Sequence, residues 1–397
     1  MDHNATTPVD PRVLEEMLPY FTERFGNASS HHLTGTEAAC AVDRARVEIQ
    51  RLIGDVDCKG LLVFTSGASE SNNLALRSGM HKLGGKYNAQ LMISSVEHKC
   101  VIATARALHK SGVGQKTTAI PVNEDGIVKV DVIEKMMETH PSKECLVSVM
   151  AVNNETGVIS PIKDVNDIVH GKKNRRHLLH VDAAQAIGKI PFDVVMLNPD
   201  MVSLSAHKFY GPKGVGALWL KDYRTIERPI IFGGGQENGL RSGTLNVPGI
   251  VGMAAALRYA IQDRESEFKR LSKMRDRMQT VFMSMPEVKV NGLNAPRTAN
   301  CLNISFRYAP AVTLISSIND VVSVSAGSAC TSTSDEPSHV LKSMGLSEEE
   351  LHSSIRISLG RSTTGHQVDQ VTALIKREVE RLRSESILWQ VKDELDV

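Results

Sequence analysis

Between about residue 60 and about residue 250, short apolar runs alternate with amphipathic stretches. Leu61-Leu62-Val63-Phe64, Leu91-Met92-Ile93-Ser94 and Leu146-Val147-Ser148-Val149-Met150 have the length and continuity of buried strands. A helical pattern follows each: Glu70 to Leu83, Val101 to Lys110, and a segment within Ile162 to Gly171. Two more runs, Leu178-Leu179 before His180-Val181-Asp182 and Met201-Val202-Ser203-Leu204, extend the series. This alternation predicts a large α/β domain: a mostly parallel central sheet flanked by helices, with its ligand beyond the carboxyl ends of the strands. From Ile250 to Met285 runs one long helical pattern, or two joined, Ala-rich first and then charged. It leads into a smaller α+β C-terminal domain, with strands near Cys301–Phe306 and Ile355–Leu359 and a closing helix from about Gln367 to Arg383. The Ser/Gly/Thr-rich segment Ser323 to Ser338 is the expected mobile loop.

Composition narrows the picture. A chain of 397 residues with 41% hydrophobic content supports a large core and more than one domain. Lys and Arg (46) nearly cancel Asp and Glu (45), so neither nucleic acid nor an acidic surface is an expected partner. No apolar run approaches membrane-spanning length. The opening residues carry neither a signal-peptide nor a transit-peptide pattern. The expected location is the cytoplasm, or a mitochondrial-type organelle if the chain is a processed form. Six cysteines (40, 58, 100, 145, 301 and 330) show no C-x-x-C spacing. A reducing compartment is expected, with neither disulfides nor a metal site.

Candidate chemistry gathers at strand ends. Asp182 and Lys208, each closing an apolar run, can face one another across a single ligand. Pyridoxal phosphate (PLP) needs that pair: a lysine for the Schiff base and a carboxylate for the pyridine nitrogen. Ser205 and His207 beside Lys208 can donate to a phosphate; Lys213 is a rival lysine in an exposed Gly-rich turn. Asp182 could instead be a helix N-cap after a strand. Gln185 could bond the ring's phenolic oxygen. Thr65 to Glu70, with Ala68 and Ser69 at its centre, joins a strand to a helix and offers N–H groups to an anion. His98 could stack on a ring and move protons. Asn153-Asn154-Glu155 is either a turn or a contact to substrate. Gly171 to His177 is a basic run, read as solvated cations at a helix end. Arg241-Ser242-Gly243-Thr244 follows a Gly-rich stretch and could touch phosphate. Five cysteines read as small apolar residues in helices or strands. Cys330, among Ser, Gly and Thr on the expected loop, reads as a reactive thiol.

Together these residues resemble the cysteine desulfurases of the NifS/IscS group, class V aminotransferase relatives within fold-type I PLP-dependent transferases. The resemblance rests on Asn4-Ala5-Thr6-Thr7-Pro8, Thr65-Ser66-Gly67-Ala68-Ser69-Glu70-Ser71-Asn72-Asn73, Glu97-His98-Lys99, Asn153-Asn154-Glu155, Ser205-Ala206-His207-Lys208, Arg241-Ser242-Gly243-Thr244, Gly327-Ser328-Ala329-Cys330-Thr331-Ser332 and Ser354-Ile355-Arg356. Leu382 to Trp389 looks like the tail of the IscS and mitochondrial branch.

The resemblance implies an N-terminal arm at 1–15 packing on the small domain, a large PLP-binding domain at 16–255 and a small domain at 256–397 that carries the mobile Cys330 loop. It implies that Lys208 holds PLP, Asp182 pairs with its ring nitrogen and His98 stacks on the ring. Ala68, Ser69, Ser205 and His207 would bind phosphate, joined by Thr244 from the second subunit of a homodimer. Asn154 and Gln185 would contact ring or substrate, and Arg356 the substrate carboxylate. The implied reaction converts L-cysteine to L-alanine and leaves a persulfide on Cys330. The implied sulfur acceptor is an iron–sulfur scaffold protein of the IscU type, or tRNA thiolation, with an accessory subunit if the protein is mitochondrial. Selenocysteine lyase and a non-catalytic platform protein are the alternatives. Ser69 stands where the family has Thr, and Ala309-Pro310-Ala311-Val312 replaces an expected acidic stretch.

Overall fold

The structure, a computed structural model, describes residues 1–84, 89–114, 117–139, 144–171, 176–226, 228–327 and 337–392. Seven strands form the main sheet: β1 (Leu61–Thr65), β2 (Ala89–Ser94), β3 (Thr118–Ile120), β4 (Glu144–Met150), β5 (Leu178–Asp182), β6 (Met201–Ser205) and β7 (Gly216–Leu220). Their order is β1-β7-β6-β5-β4-β2-β3. The pairs β2–β3, β2–β4, β4–β5 and β5–β6 are parallel; β7 runs antiparallel to both β6 and β1.

Burial explains the sequence pattern. β5 and β6 are buried along their whole length, as is β4 from Cys145 onward. Both sheet faces are covered, so these strands read as continuous apolar runs. Val147, Val149, Leu179, Val181 and Val202 join one core, with the helix Leu33–Leu52 and the first half of the helix Val247–Met283. Leu146, Leu178 and Met201 join the other, beneath the helices Ala68–Lys82 and Lys99–Lys110.

A second, antiparallel sheet has the order β10-β9-β8, from β8 (Val288–Val290), β9 (Cys301–Phe306) and β10 (Ser354–Ser358). Its own core includes Phe282 and Phe306, whose rings meet edge-on at 5.2 Å, with Ile304, Ile355, Val368 and Ile375. The 37-residue helix Val247–Met283 is continuous across the expected boundary at 255/256. It gives Ile250 to Ala260 to the large core and Leu271, Met278 and Phe282 to the small one.

The first ten residues stitch the two sheets together. Ser358 N donates to Met1 O (2.8 Å), and Asn4 N to Ser358 Oγ (2.9 Å). Farther along, Thr7 N donates to His207 O (3.1 Å) and Asp10 N to Tyr210 O (3.0 Å). The segment expected to lie on the small domain thus divides its bonds between the two sheets. Among the described residues, no helix is long and apolar enough to cross a membrane.

Candidate active site

A cavity of about 440 Å³ opens where the carboxyl ends of β1, β4, β5 and β6 meet the first residues of the chain and β10. At one end, β1 turns into the helix Ala68–Lys82. Its N-cap, Gly67, has φ 152° and supplies no side-chain cap, so the helix N-terminus is left to whatever fills the cavity. Ala68 and Ser69 line it. The turn is braced by Thr65 Oγ1 against Ser71 Oγ (2.8 Å), and by Ser66 N donating to Glu70 (2.7 Å). Arg241 Nε donates in turn to Glu70 (2.8 Å). Ser205 and His207 reach the same end from β6. Burial, then the charges of Lys208 and Lys213, push the His207 imidazole down to about 4.

Asp182 closes β5. Its Oδ2 accepts from Asn72 Nδ2 (2.7 Å) and its Oδ1 from Ala184 N (3.0 Å). The carboxylate therefore holds its own turn and still faces the cavity. His98 is the N-cap of the helix Lys99–Lys110. Its Nδ1 accepts from Cys100 N (3.2 Å) and lies 3.0 Å from Cys100 Sγ. An accepting Nδ1 puts the proton of the neutral ring on Nε2. Burial lowers the His98 pKa, partly opposed by Asp182.

Lys208 Nζ donates to Asn4 O (2.7 Å) and Ala5 O (2.8 Å), and Gln185 Nε2 also donates to Asn4 O (2.9 Å). Lys213 is exposed at the rim. Asn153 builds the turn after β4, its Oδ1 accepting from Glu155 N (2.9 Å) and Thr156 N (3.0 Å), while Asn154 lines the cavity. The turn reading describes Asn153, and Asn154 is the member of the trio at the cavity wall.

Arg356, 1% exposed on β10, reaches the cavity from the small sheet. It donates to Asp2 Oδ1 (2.7 Å) and Asn154 O (3.0 Å), and its Nε is buried with no partner. That spare donor suits a carboxylate.

Thr244 is exposed and does not line this cavity. Cys330 lies outside the described residues, as do most of the expected loop and most of the basic run 171–177.

Several residues at the site carried no role in the sequence reading. Asn72 is an amide at a fully buried helix position, a signal in itself, since such a group needs a partner. Cys100, read as an apolar core residue, lines the cavity beside His98. Its thiol is pushed up to about 12, chiefly by burial. Cys58 departs from the expected strand or helix: it sits in a turn at φ 52°. Cys40 is helical but exposed.

The donor set is spatially sorted. N–H groups, hydroxyls and an imidazole at one end suit a phosphate ester, a carboxylate suits a protonated ring nitrogen, an amine suits an aldehyde, and a guanidinium suits an amino acid's carboxylate. Such a site on such a sheet fits the class V aminotransferases, a PLP-dependent family. The chain belongs to it: the description Aminotransferase class-V matches residues 1–371.

The sequence is 44% identical to the cysteine desulfurase IscS of Rickettsia akari, over 99% of this chain and 94% of that protein. Among solved structures it resembles a NifS-like protein, with TM-score 0.85 and 37% identity over 96% of this chain and 98% of that one. It also resembles SspA in complex with cysteine, with TM-score 0.76 and 34% identity over 90% and 97%.

Proposed function

We propose that this protein is a PLP-dependent cysteine desulfurase, releasing L-alanine from L-cysteine and retaining the sulfur as a persulfide on Cys330. The observation that carries this reading is the convergence of Lys208, Asp182, His98 and an uncapped helix N-terminus on one cavity, with the spare donor of Arg356 at its far side. The IscS relatives and the cysteine complex of SspA support the choice of substrate.

Lys208 would hold the cofactor covalently, and Asp182 would keep its ring nitrogen protonated. Ala68, Ser69, Ser205 and His207 would hold its phosphate. His98 would cover the ring, and Gln185 and Asn154 would contact ring or substrate. When bound, PLP supplies an electron sink that labilises bonds next to the amino group of an amino acid.

Arg356 binds the substrate carboxylate and orients the cysteine. Lys208, whose Nζ donates to two carbonyls of the N-terminal segment, would move the α-proton once released from its own covalent bond. His98, which lines the cavity with Nδ1 engaged at Cys100, would act through Nε2 as a second proton carrier. The Cys330 thiolate attacks the substrate sulfur; the carbon–sulfur bond breaks, a sulfur–sulfur bond forms, and alanine leaves after protonation.

Thr244, exposed outside its own cavity, suits a phosphate contact in a second copy of a homodimer. The persulfide's acceptor in this reading is an iron–sulfur scaffold protein, and the compartment is the cytoplasm or a mitochondrial-type organelle. The proposed units are an arm (1–15), a cofactor-holding body (16–255) and a small body (256–397); a second core around Phe282, Phe306 and Ile375 supports the small body, while Val13, Ala260 and Val340 to Leu351 pack into the large core. The test is to incubate purified protein with L-cysteine and measure alanine and protein-bound persulfide. Cys330→Ser should lose both; undiminished alanine in that variant would sink the persulfide route.

A further inference from the structure

The turn after β4 holds a carboxylate that the reaction described above does not use. Glu155 is 1% exposed. Its N–H donates to Asn153 Oδ1 (2.9 Å), and its carbonyl accepts from Asn303 Nδ2 (3.1 Å) and Cys301 Sγ (3.4 Å) of β9. The neighbouring Asn154 O accepts from Arg356 Nη1 (3.0 Å) and Asn4 Nδ2 (3.3 Å). The Glu155 side chain therefore stands on a braced turn, one that also touches the guanidinium proposed to hold the substrate carboxylate.

Two residues eleven apart in sequence meet on that side chain. Ser338 Oγ donates to Glu155 Oε2 (2.5 Å) and accepts from Leu341 N (3.2 Å), as N-cap of the helix His339–Ser343. Gly327, buried at φ 74°, packs against the same oxygen. A Cβ there would lie 3.3 Å from Glu155 Oε2 and 3.4 Å from Ser338 Cβ. Cys330 belongs to the stretch of chain between Gly327 and Ser338.

The chain leading to each of these residues is held as well, but by different parts of the molecule. On one side, Ser325 N donates to Arg356 O (3.2 Å) and Arg356 N to Ser325 O (2.6 Å), against β10 of the small sheet. On the other, His339 Nε2 donates to Glu97 O (2.9 Å) and Ser343 Oγ to Ser95 O (3.3 Å), on the loop that follows β2 of the large sheet. Those contacts do not join one side to the other. Glu155 does. Three residues of chain separate Gly327 from Cys330, a tether of about 11 Å at full extension. Where Gly327 sits thus limits what the Cys330 sulfur can reach.

We propose that Glu155 is a positioning residue for Cys330: its carboxylate pins Gly327 and Ser338, the two ends of the Cys330-bearing segment, to the turn bonded to Arg356. Fixing the ends of a loop removes conformations from it and raises the effective concentration of its nucleophile at a site within reach. A charged acceptor makes the tie stronger than a neutral one would.

The inference rests on the proposed persulfide route, and its test separates the two. Full-length holoenzyme is mixed with L-cysteine, and alanine and protein-bound persulfide are followed through the first turnover by rapid quench. Cysteine binding is read separately, from the change it causes in the cofactor absorbance. Glu155→Ala should form both products about tenfold more slowly, with cysteine affinity and cofactor absorbance retained. Ser338→Asp keeps an N-cap for its helix but sets a carboxylate against Glu155, so it should be at least as slow. Ser338→Asp combined with Glu155→Gln restores a donor and an acceptor with their roles reversed, and should recover most of the rate. If Glu155→Ala does not fold, Ser338→Asp, alone and with Glu155→Gln, decides the question. First-turnover rates equal to wild type in the single variants would overturn the role of Glu155, as would a double variant no faster than Ser338→Asp. Loss of cysteine binding in step with the rate would also overturn it, because a merely structural role predicts that result. A wild-type chain that forms no alanine would overturn the proposed function itself.

Discussion

Asn72 and Asp182, 110 residues apart, are joined by a 2.7 Å hydrogen bond from the Asn72 amide to Asp182 Oδ2. Asn72 belongs to the helix whose N-terminus faces the anion end of the cavity. One helix therefore sets both the phosphate end and the rotamer of the carboxylate. A hydrogen bond to a charged group contributes about 1.5–3 kcal/mol. Asn72→Ala should weaken PLP binding roughly tenfold to a hundredfold, measured by absorbance titration of the cofactor-free chain. Asn72→Asp, which sets a second carboxylate against Asp182, should weaken it further. An alanine variant that binds PLP as tightly as wild type would show that Asp182 needs no such support.

β7 bears on the same end of the cavity through main chain alone. A Cβ on Gly216 would lie 2.5 Å from Leu204 O and 2.6 Å from Gly67 Cα, distances at which backbone has to move. Overpacking of this kind costs about 1–3 kcal/mol. Gly216→Ala should lower the urea midpoint and, by displacing Gly67, also raise the PLP dissociation constant. Loss of stability with PLP affinity unchanged would separate β7 from the cavity.

His180 carries a pH dependence whose sign follows from its burial. Its ring spans Ser148 Oγ and Ser203 Oγ, each at 2.9 Å, in the middle of the sheet. Burial, partly opposed by Asp182, lowers its pKa to about 4. Above the unfolded value of about 6.5, both states are neutral and its full contribution is present. Below 6.5 the unfolded chain takes up the proton first, and on the order of 3 kcal/mol is lost by the time pH falls through 4. Glu97, whose pKa burial raises, works in the opposite direction in both proteins compared. In urea unfolding, the advantage of wild type over His180→Gln should therefore shrink between pH 7.5 and pH 4.5. An advantage constant across that range would refute the assignment.

The parts of this molecule that sequence reveals are those whose pattern is local. β4, β5 and β6 announce themselves because both faces are buried. Asp182, His98 and Lys208 stand out because parallel strands deliver their C-terminal ends to one crevice. β7 escapes for the converse reason: it returns antiparallel after only a short 3₁₀ turn, and an alternation rule looks for strands separated by longer helices. Asn72 and Asn4 escape because what they do is make contacts. Asn4 meets Gln185, Lys208 and Asn300 across 181, 204 and 296 residues, and no spacing encodes that. Cys100 misleads because the turn that makes His98 an N-cap also brings the next helical turn to the cavity wall.

Arg356 yields two predictions of opposite sign from one geometry. Its guanidinium is almost wholly buried, paired with Asp2 at 2.7 Å and bonded to Asn154 O, with Nε unpartnered. In the proposed function, a substrate carboxylate at Nε would meet a cation already shared with Asp2. Arg356→Lys keeps the charge but loses the planar guanidinium, whose terminal nitrogens hold Asn154 O and Asp2 while Nε stays spare for a carboxylate. One charge-assisted bond contributes about 1.5–3 kcal/mol, so KM for cysteine should rise at least tenfold with the cofactor absorbance retained. Asp2→Asn keeps an oxygen for Arg356 and removes the competing charge, so KM should fall several-fold. Steady-state kinetics on the two variants decides the matter: a shared direction of change would mean that Asp2 orders Arg356 rather than competing for it.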